Sequence, residues 1–183
     1  MVSIERTAYP RFYNQPSERE LQAYYAITDI ERNFVLHTAN GNSGRLTLLV
    51  MLKTRQQLGY FPNLTDIPKV LTTYLTQIFK LPKDTTLNEV EQFKKTWVRY
   101  RLAIRSFLNC CLYADTGAEL VKKVMITAAS TMSDPADLIN VAVQELIKNN
   151  IELPAFSTLD RLAGHCRQKI HNEIFSRTGD GVA

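Results

Sequence analysis

The sequence predicts an all-α protein: two small helical, helix-turn-helix-like units packed as a compact multi-helix domain. Three observations carry this expectation. "SERE" (Ser17–Glu20) and "TDIE" (Thr28–Glu31) are capping boxes, in which a hydroxyl caps the helix and a carboxylate three residues on reaches back to the cap. Apolar residues recur at helical rather than alternating spacing along most of the chain. No segment makes a convincing strand, and there is no exact repeat or low-complexity tract.

Ser17 opens a short helix carrying Leu21, Tyr24 and Tyr25. Thr28 opens a second with Ile30, Phe34 and Val35, which Gly41 can close in the left-handed conformation. Asn42 or Ser43 then caps a third, running from about Gly44 to Leu58; Gly59 ends it and Pro62 keeps it ended. Three short helices with two tight joints, over residues 17–60, have spacing compatible with a helix-turn-helix. After "NLTDIPKV", a linker and new start, Val70, Leu71, Tyr74, Leu75, Ile78 and Phe79 trace a fourth helix that Pro82 stops. A long helix is expected from about Asn88 to Leu112, with Phe93, Trp97, Tyr100, Ile104 and Phe107 in one apolar arc. Another follows from about Gly117 to Thr131. In "SDPAD", Asp134 caps, Pro135 takes the first helical position, and Asp137 suits the positive end of the dipole. "NNIELP" is a turn, and a last helix is expected from about Ser157 to Arg177. The first unit is expected over residues 1–64 and the second over 68–178, with 179–183 a disordered tail.

Composition narrows the function. An apolar share of 45% over 183 residues is that of a folded globular chain, and a net charge of +4 permits a polyanionic partner without demanding one. Cys110, Cys111 and Cys166 are odd in number, with two adjacent, which is a poor disulfide framework and suits a reducing compartment. No signal-peptide layout opens the chain, and no apolar run approaches the ~20 residues of a membrane span. A cytoplasmic protein is the expectation.

Catalytic and metal-binding patterns are missing from the sequence. There is no Gly-rich phosphate loop with its lysine, no His-Glu-x-x-His and no nucleophile elbow. His165 and Cys166 are neighbours on a helix and point to different faces, so they cannot ligate one metal; Cys110 and Cys111 lack partners at zinc spacing. No cofactor, no metal site and no catalytic residue is expected.

Two surfaces invite a binding role. On the last helix, Leu159, Leu162, Ala163, Cys166, Ile170 and Ile174 form a narrow apolar face. The opposite face carries Thr158, Arg161, His165, Gln168 and Asn172, with Lys169 beside them and no acid in the stripe. Arg, Gln and Asn can bond bidentately to guanine and adenine edges in a major groove. With the preceding helix and turn, this is the layout of a second helix-turn-helix; the plainer alternative is a solvated face. The second surface belongs to "NGNSGRLTLLVMLKTRQQLGYFPN" (residues 40–63). Its first half is core, but Arg45, Lys53, Arg55, Gln56 and Gln57 can project, which suits backbone phosphates better than base edges. Lys94, Arg101 and Arg105 border the apolar arc of the long helix and are further phosphate candidates, as is Lys169.

Several segments together resemble the N-terminal region of the Tn3-family transposases, the large replicative transposases of bacteria. They are "YPRF" (Tyr9–Phe12), "ELQAYYAITDIERNFVLHTANGNSGRLTLLVMLKTRQQLGYFPN", "WVRYRLAIRSFLN" (Trp97–Asn109) and "IKNNIELPAFSTLDRL". The order and spacing of these pieces carry the resemblance, which spans nearly the whole chain; residues 107–134, including "NCCLYADTG", follow the family pattern poorly. The resemblance implies a helical region that binds transposon terminal inverted repeats. It also implies that the metal-dependent strand-transfer site lies in a much later domain. The expectation is thus a non-catalytic piece of a longer bacterial, nucleoid-associated transposase. Its partners would be double-stranded DNA, the remainder of the transposase chain and a second copy in a homodimer, with no membrane. The alternative is an all-helical protein–protein interaction module with no nucleic-acid role.

Overall fold

The computed structural model describes residues 1–12, 16–88 and 94–179. Packing divides the chain into a unit from Pro10 to Asn109 and a two-segment unit in which Met1–Tyr9 join the residues from Cys110 onward. The described residues contain eight α-helices and no strand, only one isolated parallel bridge between Cys111 and Ile151.

In the 10–109 unit the helices are α1 (Glu18–Tyr24), α2 (Asp29–Thr38), α3 (Asn42–Leu58), α4 (Lys69–Phe79) and α5 (Lys94–Leu108). Both capping boxes form. The Ser17 N–H donates to Glu20 Oε2 at 2.8 Å, and the Thr28 N–H donates to Glu31 Oε2 at 2.8 Å. The Ser17 bonds hold the exposed Glu20 carboxyl below the usual range. α3 is the centre of this unit and touches α2, α4 and α5. Leu46, Leu48, Leu49, Val50, Met51 and Leu52 cover every side of it and are at most 1% exposed. A helix apolar all round must be wrapped by its neighbours. α3 therefore cannot be the outward helix of a helix-turn-helix over residues 17–60, whatever the spacing allows.

The ends of these helices follow backbone chemistry with two departures from expectation. Gly59 closes α3 in the left-handed conformation (φ 76°, ψ 0°), its N–H reaching Arg55 O at 3.0 Å. Gly41 does not close α2: Ala39 does, and Gly41 (φ 70°) becomes the N-cap of α3, so Asn42 and Ser43 are already helical. α4 ends at Lys80 (φ 63°) rather than waiting for Pro82. Its last carbonyls are taken by Arg32 of α2, which donates to Ile78 O at 2.9 Å and Phe79 O at 3.3 Å while its guanidinium lies over the Phe79 ring. α5 ends at Leu108, four residues short of Leu112, because Asn109 turns left-handed (φ 50°). The expected start of α5 at residues 89–93 and Phe93 of its apolar arc lie outside the described residues. Phe34 of α2 stacks on Phe107 of α5 at 4.2 Å between centroids.

In the two-segment unit α6 (Ala118–Ala129), α7 (Pro135–Lys148) and α8 (Phe156–Gly179) all pack on one another. Asp134 caps α7 by accepting the Ala136 N–H at 2.9 Å. Val121, Met125, Leu138, Ile139, Leu146 and Leu159 are fully buried between the three helices. The N-terminal segment is stitched onto α7 and α8. The Val2 N–H donates to Asp160 Oδ1 (2.8 Å), the Ala8 N–H to Asn140 Oδ1 (2.7 Å) and the Tyr9 hydroxyl to Pro154 O (2.7 Å). Arg6 pairs with Asp134 at 2.7 Å, and the Tyr9 ring meets Phe156 edge-on.

The units therefore divide the chain elsewhere than at residues 64–68. Phe61, Leu64 and Ile67, expected in or near a linker, are buried in the same core as α3 and α4. Residues 1–9, expected in the first unit, pack with the last. Of the expected tail, residues 180–183 lie outside the described residues.

Candidate nucleic-acid interface

α8 follows the short turn Asn149–Ala155, in which Asn150 is left-handed (φ 51°) and the Ile151 N–H returns to Leu146 O at 2.9 Å. Leu159 and Ala163 are fully buried, and Cys166 nearly so, against α6 and α7. At about 100° per residue, that inward face turns Arg161, His165, Gln168 and Asn172 the other way, within roughly a quarter-turn. All four are exposed, as is Lys169, while Thr158 is half-buried at the helix start. The one acid in the first turns of α8, Asp160, is engaged by the Val2 N–H. Gly164 also lies outward, and nothing stands within 4 Å of where its side chain would be. The five base-contact candidates thus fall along one side of one helix.

Burial pushes the Cys166 thiol above its usual range, only partly opposed by Lys122 and Lys169. It is a packing residue. Among the described residues no three His, Cys, Asp or Glu side chains gather as metal ligands, and no disulfide links the three cysteines.

The phosphate candidates of the 10–109 unit separate into two kinds. Lys53 and Arg55 are corrected: both lie inside, at 5% and 6% exposure, because α3 is the central helix. The Lys53 Nζ is 2.9 Å from Glu31 Oε1, which also accepts from Gln56 Nε2 at 2.8 Å. One carboxylate therefore serves two ends: Oε2 caps α2 and Oε1 ties α2 to α3. Burial pushes the Glu31 carboxyl up, but the Thr28 N–H, Lys53 and Gln56 outweigh it and hold it below the usual range. The Arg55 Nε and Nη2 are buried and make no hydrogen bond. Arg45 is half-buried, its Nε turned back toward Ala39 O at 3.4 Å.

Arg101 and Arg105 stay partly open along α5. The Arg101 guanidinium lies 5.0 Å from the Phe61 ring centre and 5.4 Å from that of Trp97, and Arg105 lies 5.5 Å from Phe61. The rings pack against these cations, and the Arg101 Nε is itself buried. The Lys94 side chain lies outside what is described. Lys95 and Arg99 are exposed on the same helix, and no acid occurs from Lys94 to Leu108.

Sequence reasoning passed over Arg32, whose role at the end of α4 joins residues distant in the chain, and the second role of Glu31. The apolar residues on every side of α3 were the available signal that its basic residues would be buried as well.

An all-α protein with a basic, acid-free helix face is the class that fold and surface define. Residues 1–166 match the family described as "Domain of unknown function (DUF4158)", and the chain belongs to that family, an N-terminal domain of Tn3-family transposases. It is also similar to the "Transposase for transposon gamma-delta" of Escherichia coli (strain K12), at 20% identity over 182 residues. The match covers 97% of this chain and 18% of that relative, so the chain spans less than a fifth of the relative's length. Among the described residues no helix is long and apolar enough to cross a membrane.

Proposed function

We propose that this chain is a sequence-specific DNA-binding region that engages the terminal inverted repeats of a transposon, within a longer replicative transposase. The strand-transfer chemistry belongs to another part of that polypeptide. The observation that carries the reading is the outward side of α8, where Arg161, His165, Gln168 and Asn172 stand exposed without an acid among them. In this reading Arg161 and its neighbours address base edges in the major groove, with Thr158 at the helix start. Lys94, Arg101, Arg105 and Lys169 neutralise phosphates, with Arg45 a lesser contributor. Lys53 and Arg55 take no part. Phosphate neutralisation makes the affinity fall steeply with salt.

The test is fluorescence anisotropy of the chain with an inverted-repeat duplex and a scrambled duplex of equal composition, at two salt concentrations. The repeat is expected to be retained at moderate salt and the scrambled duplex lost. Arg161→Ala should cost about 1–3 kcal/mol on the repeat and relax discrimination. Unchanged discrimination in that variant would refute base reading by α8.

A docking role has one observation in its favour: a groove beside α6 and α7 lined by Leu120, Val124, Ala128, Met132 and Val141. Absence of any DNA binding at low salt, together with capture of the remainder of the transposase, would favour that role instead.

A further inference from the structure

α5 packs by one side. Tyr100 and Ile104 are buried in the core, and Trp97 and Phe107 pack against it. Yet the opposite side is not simply polar: Val98 and Leu102, four positions apart, are each 56% exposed. Surface aliphatic residues scattered singly are ordinary, but these two share one face on adjacent turns. At about 100° per residue, Arg101 and Arg105 fall along one border of the pair and Lys95 and Arg99 along the other. Lys95 and Arg99 are exposed, and the Arg99 guanidinium lies 5.4 Å from the Tyr100 ring centre. Among the described residues neither of them forms an ion pair. With no acid from Lys94 to Leu108, the outward side is an aliphatic strip with a cationic row on each flank.

That pattern selects its partner. A purely apolar surface would strand the flanking cations, and a purely acidic one would leave the aliphatic pair unmatched. The major groove of a duplex offers both features. It is about 12 Å wide and admits one α-helix, with a phosphate backbone on each wall and thymine methyl groups on its floor. Side chains at i and i+4 stand about 6 Å apart along the helix axis, close to two base-pair steps of about 3.4 Å.

We propose that the outward strip of α5 is a further base-reading surface, in which Val98 and Leu102 lie against thymine methyl groups in the major groove. Lys95 and Arg99 meet the phosphates of one wall, and Arg105 with the partly buried Arg101 those of the other. Val98 and Leu102 are then specificity-determining residues for thymines about two base pairs apart. The inference rests on the reading that this chain binds DNA, but not on base contacts by α8, and its experiment separates the two.

Fluorescence anisotropy is measured on the inverted-repeat duplex and on the same duplex with deoxyuridine in place of every thymidine, which removes only the methyl groups. The unmodified chain is compared with Val98→Ala, Leu102→Ala and the double variant. Both positions are exposed and alanine is a strong helix former, so the fold is retained. The unmodified chain should bind the deoxyuridine duplex about fourfold more weakly for each methyl group contacted, or about fifteenfold for two. Each alanine variant should lose a comparable factor on the thymidine duplex and little further on the deoxyuridine duplex. An equal loss on both duplexes, or no loss on either, overturns the proposal. So does unchanged DNA binding by the double variant with lost capture of the remainder of the transposase, which would make the strip a protein-docking face. Failure of the unmodified chain to bind any duplex overturns the DNA reading and this role together. Unchanged discrimination in Arg161→Ala overturns base reading by α8 alone and leaves the α5 result standing.

Discussion

Lys53→Met distinguishes a structural lysine from a DNA-binding one. Methionine matches the length of the lysine stem and packs against the same neighbours, so the substitution removes chiefly the ammonium. The side chains of Lys53 and Glu31 are 6% and 8% exposed and meet at 2.9 Å. Breaking a buried pair by removing one partner costs about 3–5 kcal/mol, since the other charge is left behind. Glu31 keeps three donors: the Thr28 N–H at 2.8 Å, the Thr28 hydroxyl at 3.1 Å and Gln56 at 2.8 Å. These bring the expected cost to the lower end, about 3 kcal/mol, or a melting point lower by roughly 12–24 °C in a unit of about 100 residues.

The pH dependence supplies a second check. The folded carboxyl of Glu31 is depressed, so its contribution is present above the ordinary carboxylate pKa and is lost as pH falls through the folded value. Without Lys53 the folded value rises, and acid unfolding should begin at higher pH. Thermal and acid unfolding followed by circular dichroism measure both effects. A loss under about 1 kcal/mol, typical of an exposed pair, would refute the buried lock. A Lys53→Met variant that kept its stability but lost affinity for all duplexes would restore Lys53 as a phosphate contact.

Three further substitutions test the backbone reasoning. Gly59→Ala forces a side chain into the left-handed closure of α3 and should cost about 1–2 kcal/mol in urea unfolding. Gly117→Ala places a methyl group 2.7 Å from the Tyr113 ring and should cost about 1–3 kcal/mol by overpacking; a neutral result would mean the ring is not seated there. Gly164→Ala meets open space in a helix interior and should raise stability by about 1 kcal/mol, measured by the same unfolding curves.

What the sequence made legible was what depends on near neighbours. The caps at Ser17, Thr28 and Asp134 and the stop at Gly59 need only a few residues to form, and each is where the local chemistry puts it. The apolar side of α8 was legible because one uninterrupted period of 3.6 fixes which way Arg161, His165, Gln168 and Asn172 turn. What could not be read locally was partnership over distance. Lys53 finds Glu31 twenty-two positions away, Arg32 caps a helix forty-six positions on, and residues 1–9 pack with helices beyond residue 134. The same limit explains the seat of the Tyr113 ring against Gly117. The "NCCLYADTG" connector carries no periodic pattern, and its placement depends on a backbone bridge from Cys111 to Asn150 and Glu152.

This contrast orders the candidate surface itself. Within a helix apolar on all sides, Lys53 and Arg55 are drawn inside, and Lys53 finds a carboxylate there. A basic residue on a helix with a single narrow apolar side, such as Arg161, keeps its charge outward. In the proposed reading, the basic residues that meet a polyanion are chiefly those on one-sided helices, α5 and α8, with Arg45 near the start of α3 a lesser contributor. The width of a helix's apolar face, more than the tally of its lysines and arginines, decides whether it can serve as a binding surface.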